Sequence, residues 1–218
     1  AAQNTAVGRE ALFENQTGAD NVAIGSAALY TNTASDNTAV GRSAMINNTT
    51  GDSNVAIGKQ AMEDNTTASN NVAVGMEAML QNTTGTNNVA VGYGSLENNT
   101  TGNTNVAIGR DALEATTGNG NTAVGFEAGK ANTSGQIIFM GYQTGVANTT
   151  GTRNIAIGGN AYDSSDTEND NLAIGHNAMT ANTAGGTKNV MIGNYAGDAI
   201  TSGDDNVGLG YAALGALN

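Results

Sequence analysis

One copy of the repeat that decides the fold runs from residue 54 to residue 70 and reads NVAIGKQAMEDNTTASN. The same pattern recurs thirteen times along the chain, at intervals of 16, 17 or 18 residues. Each copy has an opening residue, a short aliphatic stretch ending in Gly, a small residue three places on, and a turn rich in Asn, Thr and Gly. A fixed short period predicts a stacked repeat architecture in which each copy is one structural unit.

We call each copy a rung and number its residues from the opening residue, position 1. Position 1 is Ile137 in one rung and Asn in the other twelve: Asn4, Asn21, Asn37, Asn54, Asn71, Asn88, Asn105, Asn121, Asn154, Asn171, Asn189 and Asn206. Because the period covers the whole chain, we expect residues 1–218 to form a single repeat domain. A catalytic site would require an exceptional rung, and nearly every rung follows the same rule.

Positions 2 to 5 predict a short strand, because β-branched residues dominate positions 2 and 4. Position 5 is Gly in all thirteen rungs. Ala at position 8 and Leu or Met at position 9 indicate a second buried wall, and the residues leave open whether it is a strand or a short helical turn. The turn at positions 12 to 15, such as residues 82–85, is expected to be exposed. The pattern predicts an all-β fold, a parallel β-solenoid or β-roll of about thirteen rungs.

Strand alternation separates positions 2 and 4 from positions 3 and 5, and both faces are apolar. We expect the bulkier residues of positions 2 and 4 to fill the interior of the coil. The Ala and Gly face would then be a flat strip that packs against a neighbouring chain in an oligomer. The candidates for that interface are Ala56, Ala73, Ala90, Gly58, Gly75 and Gly92.

The composition argues against several classes of partner. The net charge of −12 speaks against binding to nucleic acid or insertion into an anionic membrane. No apolar run approaches the roughly 20 residues of a membrane span. The chain has no Cys, and its one His, His176, has no second His beside it. We therefore expect no catalytic residues, no metal site and no cofactor.

A few positions depart from the rule. Phe139 and Met191 occupy position 3, which is usually Ala, while Gly replaces Leu or Met at position 9 in Gly129, Gly145 and Gly197. A large residue on one wall and a small one on the other predict local repacking at constant core volume.

Position 6 is variable and expected to be exposed. Several of its residues are aromatic: Tyr93, Phe126, Tyr142 and Tyr211. Aromatic rings on a rod surface can stack on sugars, which makes these residues candidates for binding surface glycans. Scattered surface aromatics are also common without any function.

The motif Asn-Val-Ala-Ile-Gly of residues 54–58 resembles the head repeats of trimeric autotransporter adhesins of the YadA type. The longer pattern with Asn-Thr-Thr-Gly, as in residues 71–88, resembles phage tail-fibre repeats of the Asn-Thr-Ala-x-Gly type. This resemblance implies a β-roll that forms trimers in an extracellular location, on a cell or virion surface. The period is longer than that of the adhesin heads, so the geometry of the roll is expected to differ.

Together these features predict a structural or adhesive fibre protein without catalysis. The alternative is an ice-binding solenoid, although its Thr residues are adjacent in a turn rather than alternating along a strand. A solenoid carbohydrate-active enzyme is less favoured, because no inward-facing carboxylate cluster is evident. The chain starts near position 15 and stops near position 13, so head-to-tail growth into a filament is also expected, unless the chain is a piece of a longer fibre.

Overall fold

The computed structural model describes residues 3–182 and 185–215. The chain divides into two compact units, Ala1–Arg110 and Asp111–Asn218. In the described ranges every regular element is a three-residue β-strand, one in each rung, and there is no helix. The prediction of a single repeat domain over residues 1–218 remains a prediction.

The first unit holds seven strands and the second holds six. Those of the first unit are β1 (Thr5–Val7), β2 (Val22–Ile24), β3 (Thr38–Val40), β4 (Val55–Ile57), β5 (Val72–Val74), β6 (Val89–Val91) and β7 (Val106–Ile108). Those of the second are β8 (Thr122–Val124), β9 (Ile138–Met140), β10 (Ile155–Ile157), β11 (Leu172–Ile174), β12 (Val190–Ile192) and β13 (Val207–Leu209).

Within each unit every strand pairs in parallel with the next strand of the chain, and equal positions are opposite each other. In the first unit Ala56 is opposite Ala73, and in the second Ala156 is opposite Ala173. The hydrogen-bond ladder continues outside the strands, since the Met62 N–H donates to the Ala78 carbonyl at 3.0 Å. Each unit is therefore a parallel β-solenoid, and the predicted fold is confirmed.

The second wall is neither a strand nor a helical turn. Positions 7 and 9 have left-handed backbone conformations, as at Gln60 (φ 59°) and Met62 (φ 53°). Non-glycine residues adopt this region rarely. Here it recurs from rung to rung because bonds such as Gln60 N–H to the Arg42 carbonyl, 2.9 Å, hold each turn against its neighbour.

The two faces of the strands are the reverse of the prediction. Ala56 at position 3 is completely buried, whereas Ile57 at position 4 is 41% exposed. The same pattern holds in most rungs, so the expectation that position 4 is buried is wrong. The physical reason is space: Leu or Met at position 9 and a set of Asn amides already occupy the interior, which leaves room for little more than a methyl group.

The predicted intersubunit strip is therefore wrong at its Ala positions. Ala56, Ala73 and Ala90 have no exposed surface within a single chain, so they cannot contact a neighbouring chain. Gly58, Gly75 and Gly92 serve close approach between rungs of the same chain. A Cβ on Gly75, where φ is +139°, would lie 2.6 Å from the Gly92 carbonyl carbon. A side chain there would separate the rungs.

The turns are only partly exposed. Asn82 and Gly85 are buried, and of this turn only Thr84 is fully exposed. The reason is a column of Asn residues at position 12, which is separate from the opening Asn residues at position 1. The Asn65 Nδ2 donates to the Asn48 Oδ1 at 2.7 Å and to the Ala68 carbonyl at 3.1 Å. These hydrogen bonds link the buried side of the turn to its own backbone and to the neighbouring rung.

The predicted repacking at the exceptional rung is confirmed. A Cβ on Gly145 would lie 2.7 Å from the Phe139 Cζ, and one on Gly129 would lie 3.1 Å from the Phe139 Cδ2. The ring thus fills the volume that position 9 side chains occupy elsewhere. Met191 does the same at Gly197, where a Cβ would lie 2.8 Å from its Cγ.

Candidate functional site

The outer face of the strands leaves apolar side chains exposed to solvent in both units. We define the aliphatic face of each unit as the side chains at positions 2 and 4 of its rungs. In the first unit Ile24, Ile57 and Ile108 are among its exposed members. In the second unit Ile138 and Ile157 are likewise exposed.

The face is flat because of the local sequence. Three-residue strands in unshifted register align side chains in columns, with about 4.8 Å between rungs. The Gly at position 5 ends each strand without adding a side chain. Each unit therefore presents two parallel columns to solvent, of Val, Ile and Thr in the first unit and also of Leu and Met in the second. Proteins that stay monomeric rarely leave long contiguous apolar strips exposed.

In the first unit the two edges of this face carry opposite charges. At position 6, beyond the end of the strand, Arg9, Arg42 and Lys59 are exposed. On the other side, Asp20 and Asp36 precede the opening Asn of their rungs and are also exposed. One edge is thus basic and the other acidic.

The aromatic residues at position 6 have different neighbours. Tyr93 lies in the first unit, with the Arg110 guanidinium carbon 5.7 Å from its ring centre. In the second unit Phe126 and Tyr142 stack on each other, with ring centres 5.2 Å apart and planes inclined by 10°. Tyr211 instead meets Tyr195 edge-on at 5.8 Å.

Tyr195 was missed by the sequence analysis because it stands at position 7. It contacts both His176 and Tyr211, and so belongs to an aromatic group of three. The signal was present in the sequence, since position 7 is next to position 6 on the same turn. Phe126 is half-buried, whereas Tyr93, Tyr142 and Tyr211 are exposed.

Charged groups form local ion pairs. The Lys130 Nζ lies 3.0 Å from Glu114, 3.5 Å from Asp111 and 3.5 Å from Glu127. The hydrogen bond to Glu114 is the main cause that raises the pKa of Lys130 above its ordinary value.

Other groups also have shifted pKa values, among them Asp170 and Tyr162. On the surface, the hydrogen bond from Arg153 lowers the pKa of Asp170. Inside the second unit, burial raises the pKa of Tyr162, whose hydroxyl accepts from the Asn171 Nδ2 at 2.8 Å. Tyr162 thereby joins the Asn network in a rung where Ser165 replaces the Asn of position 12.

Over residues 3–182 and 185–215, no group of three or more His, Cys, Asp or Glu side chains is close enough to hold a metal ion. In the same part of the chain no helix is long and apolar enough to cross a membrane.

The repeat was also compared with known proteins. No protein-family model, curated protein or solved structure matches the chain. The resemblance to adhesin heads and tail-fibre repeats therefore rests on the motif residues themselves.

Proposed function

We propose that this chain is a structural and adhesive fibre protein that associates with further copies of itself on a cell or virion surface and has no catalytic role. The observation that carries the proposal is the aliphatic face. It repeats on successive rungs of each unit, whereas a site for a single small ligand would occupy a few of them.

A second copy of the chain is the partner that fits this face best. Its columns repeat about every 4.8 Å, and another solenoid has the same period. When two parallel copies lie side by side, the basic edge of one, with Arg42 and Lys59, meets the acidic edge of the other, with Asp20 and Asp36. Covering a half-exposed Val or Ile contributes about 1 kcal/mol, and the gain is repeated at each rung.

In this arrangement the proposed interface differs from the one expected from the sequence, but the chain still forms an oligomer. The proposed contact surface consists of the side chains at positions 2 and 4 instead of the Ala and Gly residues at positions 3 and 5. Trimers and head-to-tail filaments both remain compatible with such a lateral surface. The extracellular location is proposed on the resemblance, and an adhesive role on the exposed aromatics of position 6.

The proposal is tested by the oligomeric state. We expect the protein to sediment as an oligomer at micromolar concentration. The double variant Ile57→Glu with Val74→Glu places two charges on the aliphatic face and is expected to dissociate it, because buried unpaired charges are costly. Circular dichroism should show an intact fold, since both side chains point outward.

The matched control is Thr67→Glu with Thr84→Glu, which adds the same charge to exposed turn positions in the neighbouring part of the unit. It should leave the sedimentation coefficient unchanged. A wild-type protein that is monomeric at high concentration, or an oligomer that survives the face variant, would contradict the proposal.

The threonines at position 13 argue against the ice-binding alternative. The Thr66 Oγ1 donates to the Thr83 carbonyl at 3.0 Å, and the Thr83 Oγ1 donates to the Thr100 carbonyl at 2.9 Å. These hydroxyls bind the neighbouring rung instead of presenting their protons to water. We expect no thermal hysteresis, and a measurable value would favour ice binding.

A further inference from the structure

The position 6 column of the second unit contains a gap. On successive rungs it carries Phe126, Tyr142, Gly159 and His176. The first two rings are stacked, and at Gly159 the side chain is missing. We call the space above Gly159, between Tyr142 and His176, the notch.

The notch is open on the Tyr142 side. A Cβ on Gly159 would meet only the His176 Nδ1, at 3.4 Å, and no other atom within 4 Å. The backbones of Tyr142 and His176 are two rungs apart, about 10 Å, and the His176 imidazole leans toward Gly159. At position 6 of the intervening rung no side chain covers the Tyr142 ring. A ligand ring can therefore stack on Tyr142 from this side, as Phe126 does from the other.

Neither the backbone nor crowding requires a glycine at this position. The preceding Gly158 has a φ of +132°, and a Cβ there would lie 2.6 Å from the Gly175 carbonyl carbon. Gly159 has neither restriction. Its rung alone among the thirteen has Gly at position 6. The missing side chain thus changes the surface and not the fold.

The lining of the notch combines an apolar platform with polar groups. Tyr142 is 56% exposed and offers its ring and hydroxyl, while the exposed His176 offers an imidazole. A pyranose ring has the matching chemistry, with C–H groups on one face and hydroxyls around its edge. The chain's charge of −12 disfavours acidic sugars.

We propose that the notch binds a neutral pyranose unit of a glycan, stacked on Tyr142 and bordered by His176. The inference rests on the adhesive part of the proposed function, for which it names the ligand class. It is independent of the part concerning assembly through the aliphatic face.

The experiment uses saturation-transfer NMR with four probes, the methyl pyranosides of glucose, galactose, mannose and N-acetylglucosamine, followed by titration of the strongest binder. Tyr142→Ala removes the platform, and Gly159→Tyr fills the notch with a side chain that the backbone accepts. Each change is expected to weaken binding about tenfold or more, as loss of a stacking ring does in other flat-ligand sites.

The matched control is Phe13→Ala, which removes an exposed aromatic that is stacked on Tyr30 in the first unit and lies outside position 6. Binding should stay within about twofold of the wild type. Thermal melts of the three variants are expected to overlap that of the wild type.

Several outcomes would overturn the inference. The inference would be contradicted if none of the four sugars bound, or if the wild type and both notch variants bound a sugar equally well. It would also be contradicted if indole bound and the sugars did not. If Tyr142→Ala dissociated the oligomer, the column would belong to a contact between copies. Failure of the Ile57→Glu and Val74→Glu test would instead contradict assembly and leave the notch untouched.

Discussion

At the scale of the residue, the opening Asn holds the repeat together. The Asn71 Oδ1 accepts the N–H of Asn88 at 2.8 Å, while its Nδ2 donates to the Gly85 carbonyl at 2.9 Å. One short amide thus joins two rungs and closes its own turn. Its burial explains why Asn recurs, since buried polar groups require partners.

The rung that lacks this Asn shows the same requirement. Ile137 cannot donate from its side chain, and the Ser134 Oγ donates to the Gly151 carbonyl instead, at 2.8 Å. The Ile137 N–H still donates to the Asn121 Oδ1, at 3.2 Å. The exception is thus tolerated because a neighbouring hydroxyl supplies the missing donor.

Asn71→Ala should destabilise the fold by about 1 to 3 kcal/mol, because it leaves the Asn88 N–H buried without its acceptor and removes one of the two amides that donate to the Gly85 carbonyl. The free energy of unfolding from urea titration measures the loss. The control Asn98→Ala removes an Asn that is partly exposed and should cost no more than about 0.5 kcal/mol. Equal losses in the two variants would contradict a structural role for the buried amide.

At the scale of the element, each rung conserves volume across its two walls. Phe139→Ala should destabilise by about 3 to 5 kcal/mol through the cavity it leaves. Gly145→Leu alone should also destabilise, because its side chain would overlap the Phe139 ring. The double variant restores the common pattern of Ala and Leu and should recover much of the stability. Leu96 has the same left-handed conformation (φ 52°), so Leu is acceptable at that backbone. Additive losses in unfolding titrations would contradict the shared volume.

The turn around Lys130 is the element most dependent on charge. Lys130→Met leaves three carboxylates close together and should cost about 1 kcal/mol near neutral pH, a modest value because Lys130 is partly exposed. Glu114 raises the pKa of Lys130, so the contribution is present at neutral pH and is lost only as the pH rises through that raised value.

Thermal melts of the wild type and the variant, recorded from neutral to alkaline pH, check this dependence. The two melting temperatures should converge at the alkaline end. The control is Lys130→Arg, which keeps a positive charge beside the three carboxylates and should stay close to the wild type at neutral pH. A difference between wild type and Lys130→Met that does not change with pH would show that the packing of the stem, and not its charge, is responsible.

At the scale of the whole molecule, the acidic surface opposes the association that the aliphatic face promotes. The chain has a formal charge of −12 at pH 7 and a sequence pI near 4.1. Lowering the pH reduces the repulsion between copies. We expect the oligomer to tighten between about pH 6 and about pH 4, where the carboxylates begin to protonate, seen as a lower dissociation constant in sedimentation equilibrium.

The face variant with Ile57→Glu and Val74→Glu separates specific association from precipitation. Over the same pH range it should remain smaller than the wild type at every point. If both proteins associated to the same extent as the pH fell, the effect would be a general loss of solubility, and the aliphatic face would have no part in it.

The sequence by itself determined the period, the place of each strand and the all-β stacked fold. Gly at position 5 and alternating β-branched residues specify where a strand begins and ends, whatever surrounds it. The exchange of volume between Phe139 and Gly145 was equally predictable, since it depends only on residue sizes and equal phase. The column of aromatic residues at position 6 was predictable as well, because it depends only on their equal phase in the repeat.

Only the tertiary structure decided which face of the strand turns inward. Alternation distinguishes the two faces of Val55-Ala56-Ile57 but cannot say which is inside when both are apolar. That choice depends on what the opposite wall contributes, and there Met62 and the buried Asn columns leave space for Ala alone. The gap beside Tyr142 was hidden for the same reason: neighbours along a column are 16 to 18 residues apart in the chain and meet only when the rungs stack.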